Sequence, residues 1–308
     1  YLNTVENGTT NSGNVHVGRD LLVSTGRTED DINFGLKLND SEVRVGRDLV
    51  IGSADGAWGG WHPVNRAAIK LMNSTIRIGR HLTINRPSDD IKAFGSGRVP
   101  WDAGTSTIIF DGNGLSGITQ TVRAWGAETP LHNVVIDTLG TVQIDTYTWG
   151  GMPTGEAPSW VGQDNALRNC ELYLTGNLSV LNGTFNQNDR LIIFNGPEHY
   201  LTVGGGATIN GGTGFDNIEL LADAVVILGS HVTMENLLLG LDAKLYLNGF
   251  TLGADDLTYV DGDQPWWDND LGRIYSGSPG VVPEPATMLL IGSGALGLLG
   301  YLRRRRMT

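Results

Sequence analysis

One phrase of sequence occurs three times near the N-terminus and decides the fold: VHVGRDLLV at Val15–Val23, VRVGRDLVI at Val43–Ile51 and IRIGRHLTI at Ile76–Ile84. In each copy apolar residues, mostly β-branched, alternate around a central Gly-Arg, which is typical of strands with one buried face. The glycine allows the chain to bend between two short strands. The copies begin 28 and 33 residues apart, and a preceding phrase recurs as LKLNDS at 36–41 and IKLMNS at 69–74. The pattern predicts a series of similar β-rich repeats.

The second half of the chain repeats at a shorter interval. Val180, Val203, Val226 and Leu247 follow one another at 23, 23 and 21 residues, in short apolar runs bounded by Asn, Gly or Asp. A repeat of this length predicts one coil of a parallel β-helix, because a single coil cannot bury its own face but stacked coils share a core. Asn and Gly at the corners supply left-handed backbone conformations. Coils rise about 4.8 Å each, so roughly ten would form a rod of roughly 50 Å.

We therefore predict an all-β chain whose residues 1–270 form a single-stranded, right-handed parallel β-helix, or β-solenoid. An antiparallel β-sandwich or a propeller is the main rival. It is disfavoured because the repeats are short, irregular in length and lack tight Asn-Gly hairpin turns. A solenoid needs capped ends, and residues 1–14 and 254–275 are the candidates.

Three excursions rich in Gly, Pro, Trp and charge are expected to interrupt the coils near 53–66, 86–105 and 146–168. Loops inserted at one corner of a solenoid often project from one face, which can be a binding face. After the solenoid, residues 271–280 are predicted to be a flexible linker. The chain begins at Tyr1 rather than Met, so we expect a mature form or a fragment.

Composition and charge exclude several classes of protein. Gly accounts for 44 of 308 residues, about double the usual share, without the three-residue period of collagen. The 40% hydrophobic and 18% charged content argues against a wholly disordered chain. The net charge is −12, and without Arg303–Arg306 it is 17 basic against 33 acidic residues, or −16. Such a body repels phosphate backbones, so no nucleic acid is expected as a partner. The one cysteine, Cys170, allows no intramolecular disulfide and is expected to be buried.

The C-terminal residues 281–308 read VVPEPATMLLIGSGALGLLGYLRRRRMT. Pro283-Glu284-Pro285 is a stiff turn, and it is followed by an apolar stretch, 287–302, that predicts one transmembrane helix. Arg303, Arg304, Arg305 and Arg306 form a basic membrane stop, which places this end in the cytoplasm and the body outside it. The three blocks in this order resemble the PEP-CTERM sorting signal of Gram-negative bacteria that make exopolysaccharide.

That resemblance implies an export route and a transient partner. An exosortase, a membrane protease-transpeptidase, would recognise the PEP segment and remove the helix. The precursor would reside in the inner membrane, and the processed protein at the cell surface or in the extracellular matrix. The body is also similar to autotransporter-like and filamentous-haemagglutinin-like β-helices, in phrases such as VVID and GTVQI within 108–144 and LYLTGNLSVLNGTF at 172–185. This second resemblance implies the fold and, more weakly, an adhesive role.

All eight tryptophans lie in segments flanked by Gly, Pro or Asp. Indole rings stack on the apolar face of sugar rings, which makes Trp58, Trp61, Trp149 and Trp160 candidate contacts for exopolysaccharide or other surface glycans. The alternative is that the indoles clamp the excursions onto the rod, with each N–H finding a partner. Clamping is the favoured interpretation.

Two segments suggest calcium only weakly, and no other cofactor is expected. Acidic residues cluster within 255–270, where Asp261, Asp263, Asp268 and Asp270 are weak candidate ligands, but EF-hand spacing is absent. A solvated acidic loop is the preferred interpretation. GGTGFDNIE at 211–219 matches one copy of the calcium nonapeptide, but its neighbours do not match. We therefore interpret Asp216 as a corner residue.

The sequence identifies no catalytic residues. It contains no Gly-His-Gly, no Arg-x-Pro-x-x-Arg and no G-x-S-x-G, and GNGLSG at 112–117 is not followed by the helix that a dinucleotide site requires. The first hypothesis is therefore an exported structural or adhesive protein of the exopolysaccharide or biofilm matrix. The alternative is a polysaccharide hydrolase or lyase on the same scaffold, which requires converging carboxylates.

Overall fold

The fold is all-β, with parallel strands wound into a nearly closed solenoid-like sheet. The computed structural model describes residues 13–23, 35–51, 68–84, 101–124, 129–149, 168–259 and 273–275. Within these ranges the only non-strand elements are 3₁₀ turns at Gly112–Gly114 and Asn210–Gly212. The predicted parallel β architecture is confirmed, while its handedness stays a prediction. No helix in the described part of the chain is long and apolar enough to cross a membrane. The predicted helix at 287–302 lies outside that part.

The strands form three faces, although the coils that contain β20 and β22 have no strand in the second one. The first face consists of ten strands that pair in coil order. They are β1 (Asn14–Val17), β4 (Glu42–Val45), β7 (Thr75–Ile78), β10 (Thr107–Phe110), β12 (Asn133–Ile144), β16 (Leu178–Asn186), β18 (His199–Ile209), β20 (Val225–Leu228), β22 (Lys244–Tyr246) and β24 (Arg273–Tyr275). Ten strands at about 4.8 Å spacing agree with the expected number of coils.

The second and third faces follow the same coil order. The second face consists of β2 (Leu21–Val23), β5 (Leu49–Ile51), β8 (Leu82–Ile84) and β11 (Thr119–Arg123), and it continues into the C-terminal half of β12. The third face consists of β3 (Gly35–Asn39), β6 (Ala68–Met72), β9 (Trp101–Asp102), β15 (Leu172–Leu174), β17 (Leu191–Phe194), β19 (Phe215–Leu220), β21 (Val232–Leu239) and β23 (Leu252–Tyr259). One antiparallel pair, β13 (Thr148–Trp149) with β14 (Arg168–Asn169), stands apart from the coils.

The register confirms the three N-terminal repeats. Val15 pairs with Val43, and Val43 with Ile76, so the 28- and 33-residue intervals are coil lengths. The recurring phrase before them forms β3 and β6, with Leu36 opposite Ile69. Sequence periodicity therefore predicts both the strands and their neighbours in this part of the solenoid.

The predicted register of the second half is wrong after Val203. Val180 pairs with Val203 as expected, but Val226 pairs with His199 on one side and Leu245 on the other. The cause is a change of coil length. The coil from His199 to Val226 is long, because β18 extends through a glycine-rich stretch across two faces, whereas the coil from Val226 to Leu245 is much shorter. A long coil followed by a short one can leave the spacing of apolar residues in the sequence nearly constant, so this spacing does not reveal the true register.

Asn and Gly occupy left-handed corners, as predicted, and Asp does so as well. Every non-glycine residue with positive φ in the described ranges is Asn or Asp: Asp40, Asn73, Asn113, Asn188, Asp189, Asn210, Asp223, Asp242 and Asn248. Their short polar side chains also link the coils, as when Asn73 Nδ2 donates to Asp40 Oδ1 over 2.6 Å. Inside the coils, the inward-facing Val, Ile, Leu and Phe side chains form one continuous buried cluster.

The glycine of the repeated phrase has a different role from a left-handed corner. Its backbone has no positive φ, but a Cβ on Gly46 would collide with the carbonyl oxygen of Gly18, and one on Gly79 with that of Gly46. The bend between the first and second faces therefore brings consecutive coils into backbone contact. Only a residue without a side chain fits there.

The C-terminal end of the solenoid differs from the expected cap and linker. Residues 252–259 form β23, which pairs with β21, and residues 273–275 form β24, which pairs with β22. The stack therefore continues through part of the predicted cap at 254–275. It also includes three residues of the predicted linker at 271–280.

Candidate functional site: the insertion corner

Several inserted stretches leave the solenoid at one corner, between the second and third faces. The chain leaves after β2, β5, β8, Ala124 and β13, and it rejoins at β3, β6, β9, Thr129 and β14. We call this edge the insertion corner. The stretches themselves, 24–34, 52–67, 85–100, 125–128 and 150–167, lie outside the described residues. The excursions predicted near 53–66, 86–105 and 146–168 fall largely within them.

Strand register fixes this common location. Val23, Ile51 and Ile84 end their strands in a continuous row, and Gly35 and Ala68 begin theirs side by side. Because both rows follow the coil stack, successive attachment points are about 4.8 Å apart along the axis. The N-terminal coils therefore present consecutive inserted stretches along one edge.

A ladder of side chains supports the neighbouring corner, between the first and second faces. The Asp48 N–H donates to Asp20 Oδ1 and the His81 N–H to Asp48 Oδ1, both over 3.3 Å. The Thr121 N–H then donates to His81 Nδ1 over 3.1 Å. In this coil the histidine side chain is therefore the acceptor that Asp20 and Asp48 are in the coils before it. Burial is the main cause that lowers the pKa of His81. A neutral imidazole is the form that can accept this hydrogen bond.

The arginines of the repeated phrase pair with aspartates of the preceding coil. Arg47 Nε lies 3.5 Å from Asp20 Oδ1, and Arg80 Nε lies 3.6 Å from Asp48 Oδ1. All four side chains are partly exposed, so each pair contributes ~1 kcal/mol or less. The arginine row is therefore balanced by acids and forms no separate cationic site.

The last inserted stretch has a well-anchored stem. Arg123 Nε forms a 2.7 Å ion pair with Asp145, and its guanidinium lies 4.5 Å from the centre of the Tyr147 ring. The Cys170 thiol lies 3.4 Å from the Tyr147 carbonyl oxygen. Cys170 is buried as predicted, and burial raises the pKa of its thiol to about 12. The thiol is therefore protonated at neutral pH.

Two carboxylates beside this stem were not found by sequence reasoning. Glu171 directly follows Cys170, and Glu219 lies two strands further along the outer surface of the third face. Burial raises the pKa of both carboxyls, and the charge of Glu219 raises that of Glu171 further. Arg190 opposes this effect on Glu171. No sequence signal marks the pair, because its members are 48 positions apart and belong to no motif.

Two of the tryptophans lie in described strands. Trp101 lies in β9 and is 1% exposed. Its Nε1–H donates to the Pro130 carbonyl oxygen, which matches the predicted clamping role. Trp149 belongs to β13, opposite Arg168, at the stem of the last inserted stretch. Trp58, Trp61 and Trp160 lie outside the described residues.

Asp216 is the second residue of β19 and so lies in a strand rather than at a corner, but its carboxylate holds the corner residues Asn210 and Asp189. Its Oδ1 accepts from Asn210 Nδ2 over 2.8 Å, and its Oδ2 accepts from the Asp189 N–H over 2.9 Å. Both carboxylate oxygens are thus used inside the solenoid. Within the described ranges no group of three or more His, Cys, Asp or Glu residues is arranged to hold a metal ion. The weak candidates Asp261, Asp263, Asp268 and Asp270 lie outside those ranges.

Comparison with known proteins identifies the C-terminal end of the chain. Residues 281–306 match the family described as the PEP-CTERM protein-sorting motif, which includes Pro283-Glu284-Pro285 and Arg303–Arg306. No curated protein and no solved structure matches the chain. The protein is therefore a parallel β-solenoid that carries a PEP-CTERM sorting motif. The motif implies processing by an exosortase and a membrane-anchored precursor that is sorted to the surface. The similarity of the body to autotransporter-like and haemagglutinin-like β-helices stays a prediction.

Proposed function

We propose that this protein is an exported, surface-sorted β-solenoid with a structural or adhesive role in the exopolysaccharide matrix of a Gram-negative bacterium. An exosortase would remove the transmembrane helix at 287–302 and release the body from the inner membrane. The observation that carries the adhesive part is the insertion corner, where consecutive inserted stretches are attached in one row. A row of closely spaced attachment points suits contact with a long polymer.

The tryptophan placement supports glycan contact at this corner. Trp58 and Trp61 belong to the stretch 52–67, Trp160 belongs to 150–167, and Trp149 lies at the stem of the latter. All four tryptophans therefore belong to segments that are attached to the solenoid at the insertion corner. The body carries about −16 after loss of the arginine cluster, so uncharged glycans are the favoured partners.

The position of the last strand supports outward presentation. β24 pairs with β22 at the end of the stack, and only residues 276–280 separate it from the sorting motif. In the membrane-anchored precursor the C-terminal coils would therefore lie nearest to the bilayer. The coils with the inserted stretches would lie farther away, by up to about nine coil spacings of 4.8 Å.

The sorting part is tested by expressing the full chain in a host with an active exosortase. We expect the unmodified chain to lose its C-terminal helix and to be recovered at the cell surface. A Pro283→Ala/Pro285→Ala variant should stay unprocessed in the inner membrane. Equal processing of both chains would show that these prolines do not direct sorting.

The adhesive part is tested with the detergent-solubilised full chain on a glycan array. We expect binding by the unmodified chain and weaker binding by a Trp58→Ala/Trp61→Ala variant. Leu115→Ala is the matched control, because Leu115 is 56% exposed and lies away from the insertion corner. Absence of binding by the unmodified chain would leave a purely structural role and contradict the adhesive one.

The alternative is a polysaccharide hydrolase or lyase on the same scaffold. The Glu171 and Glu219 carboxyls favour it, since burial raises the pKa of both and the charge of Glu219 raises that of Glu171 further, and glycoside hydrolysis uses a pair of carboxyl groups of which one acts as the acid. Release of reducing ends from hydroxyethylcellulose by the full chain would support it, provided that Glu171→Gln and Glu219→Gln each abolish release. No release, or release that survives both substitutions, argues against it.

A further inference from the structure

A row of tyrosines runs along the outer surface of the first face in the last coils. The register places Tyr200 beside Ile227, Ile227 beside Tyr246, and Tyr246 beside Tyr275. Because successive strand residues point to opposite sides, and Val226 and Leu228 belong to the interior cluster, Ile227 faces outward. Its row neighbours share that orientation. We call Tyr200, Ile227 and Tyr246 the tyrosine row, and β24 continues it in the backbone register.

The row is a closely packed apolar platform. Ile227 faces outward, yet it is only 2% exposed and does not belong to the interior cluster. Its neighbours in register are Tyr200 of β18 and Tyr246 of β22, one on each side. The Tyr200 ring itself is 41% exposed. An apolar row with a tyrosine on each side of Ile227 thus runs along the rod axis and is open to solvent at Tyr200.

Polar side chains lie on both sides of this platform. Glu198 and Lys244 are exposed and share the neighbouring outward row, while Thr202 and Asn248 lie on the other side. The Tyr200 hydroxyl donates to Glu198 Oε1 over 3.2 Å. Apolar rings flanked by donors and acceptors match the two surfaces of a sugar, whose ring face is apolar and whose edges carry hydroxyl groups.

The spacing of the rings adds a constraint on the polymer. Tyr200 and Tyr246 are two coils apart, which is about 9.6 Å along the axis. In an extended β-1,4-linked glycan each sugar advances by about one coil spacing, and adjacent rings are turned over. The same ring face therefore recurs at every second sugar, in step with the two tyrosines.

From this geometry we propose that the tyrosine row binds an uncharged β-1,4-linked polysaccharide that lies parallel to the rod axis. The net charge of −12 opposes the binding of polyuronates. The row lies on the first face, whereas the insertion corner lies between the second and third faces. This inference deepens the matrix role proposed above, but it does not depend on the tryptophans of the inserted stretches.

The test is native affinity electrophoresis of the detergent-solubilised full chain in gels that contain hydroxyethylcellulose, with alginate as the polyanionic comparison. We expect retardation by hydroxyethylcellulose and none by alginate. Tyr200→Ala should weaken binding about tenfold, which corresponds to about 1.4 kcal/mol. Tyr200→Phe keeps the ring and should retain most of the binding.

Two control variants distinguish binding at the tyrosine row from binding elsewhere on the surface. Leu115→Ala is the control variant, since Leu115 is 56% exposed and lies away from both surfaces, and it should bind normally. Trp58→Ala/Trp61→Ala reports on the insertion corner: loss of retardation in this variant, with retardation of Tyr200→Ala unchanged, would place the binding there and not at the tyrosine row. No retardation by hydroxyethylcellulose, equal retardation of Tyr200→Ala, or retardation by alginate alone would each overturn the proposal.

Discussion

Replacing Gly79 by alanine should destabilise the solenoid because two coils touch at this position. The new Cβ would overlap the Gly46 carbonyl oxygen, which is backbone and cannot rotate away. It would also displace Asn113 Nδ2, which donates to that same oxygen over 2.6 Å. Overpacking costs ~1–3 kcal/mol and the lost hydrogen bond about 1 kcal/mol. Alanine has less conformational freedom than glycine in the unfolded chain, which stabilises the folded state by ~0.4–1 kcal/mol and offsets part of this loss. A net loss of about 2 kcal/mol is expected.

The measurement is thermal unfolding of the detergent-solubilised full chain, followed by far-ultraviolet circular dichroism. A loss of about 2 kcal/mol corresponds to a decrease in Tm of roughly 4–8 °C for a domain of this size. Gly18→Ala is the matched control, because it changes the same position of the same phrase but nothing lies within 4 Å of the added Cβ. If Gly79→Ala left Tm unchanged, or if both variants lowered it equally, coil contact would not be the reason for the glycine.

Three further predictions concern buried ionisable groups. Burial lowers the pKa of His81, His132 and His199 in the folded chain. Below about pH 6.5 the unfolded chain therefore binds more protons than the folded chain. Because proton binding then favours unfolding, Tm should fall from pH 7.5 to pH 5. His199→Gln should reduce this slope, and an unchanged slope would exclude His199 as a contributor. Burial raises the pKa of the Glu219 carboxyl, because the charged form is poorly solvated there. Glu219→Gln removes this charge and should therefore raise Tm at pH 7, but not at pH 4, where the carboxyl of the unmodified chain is largely protonated. A gain in Tm that persists at pH 4 would point to packing instead. Cys170, with a pKa of about 12, should react with Ellman's reagent at pH 8 only after unfolding, and rapid labelling of the folded chain would contradict its burial.

The inward-facing residues made the fold predictable. In the N-terminal coils, Val15, Val43 and Ile76 lie at equivalent positions because every coil must fill the same interior row. Asn and Gly at the corners were predictable for a similar reason, since few other residues adopt a left-handed backbone without strain. Where these constraints repeat at a constant coil length, sequence alone gives strand position and neighbour.

The outward-facing residues obey no such constraint, and the candidate sites depend on them. Tyr200 and Tyr246 are neighbours of Ile227 only because the coil between His199 and Val226 is longer than the one between Val226 and Leu245. The periodicity of Val203, Val226 and Leu247 gives a different and incorrect alignment. The tyrosine row could therefore be recognised only after the register was known. The same holds for Glu171 and Glu219, which lie two strands apart on the third face.

The high glycine content reflects two separate requirements. Sequence reasoning attributes it to left-handed corners, yet Asn and Asp occupy many of those corners in the described part of the chain. Gly46, Gly79, Gly140 and Gly204 have no positive φ, but a Cβ on each would collide with a backbone carbonyl of the preceding coil. At these positions glycine permits close approach between coils rather than an unusual turn. Corner glycines with open space around the Cβ position, such as Gly114 and Gly117, can therefore be exchanged for Asn at modest cost, whereas a side chain at a stacking glycine displaces the backbone of the neighbouring coil. A glycine at the same position in consecutive repeats, as in the three Gly-Arg phrases, is consequently a stronger sign of stacked coils than the overall glycine content.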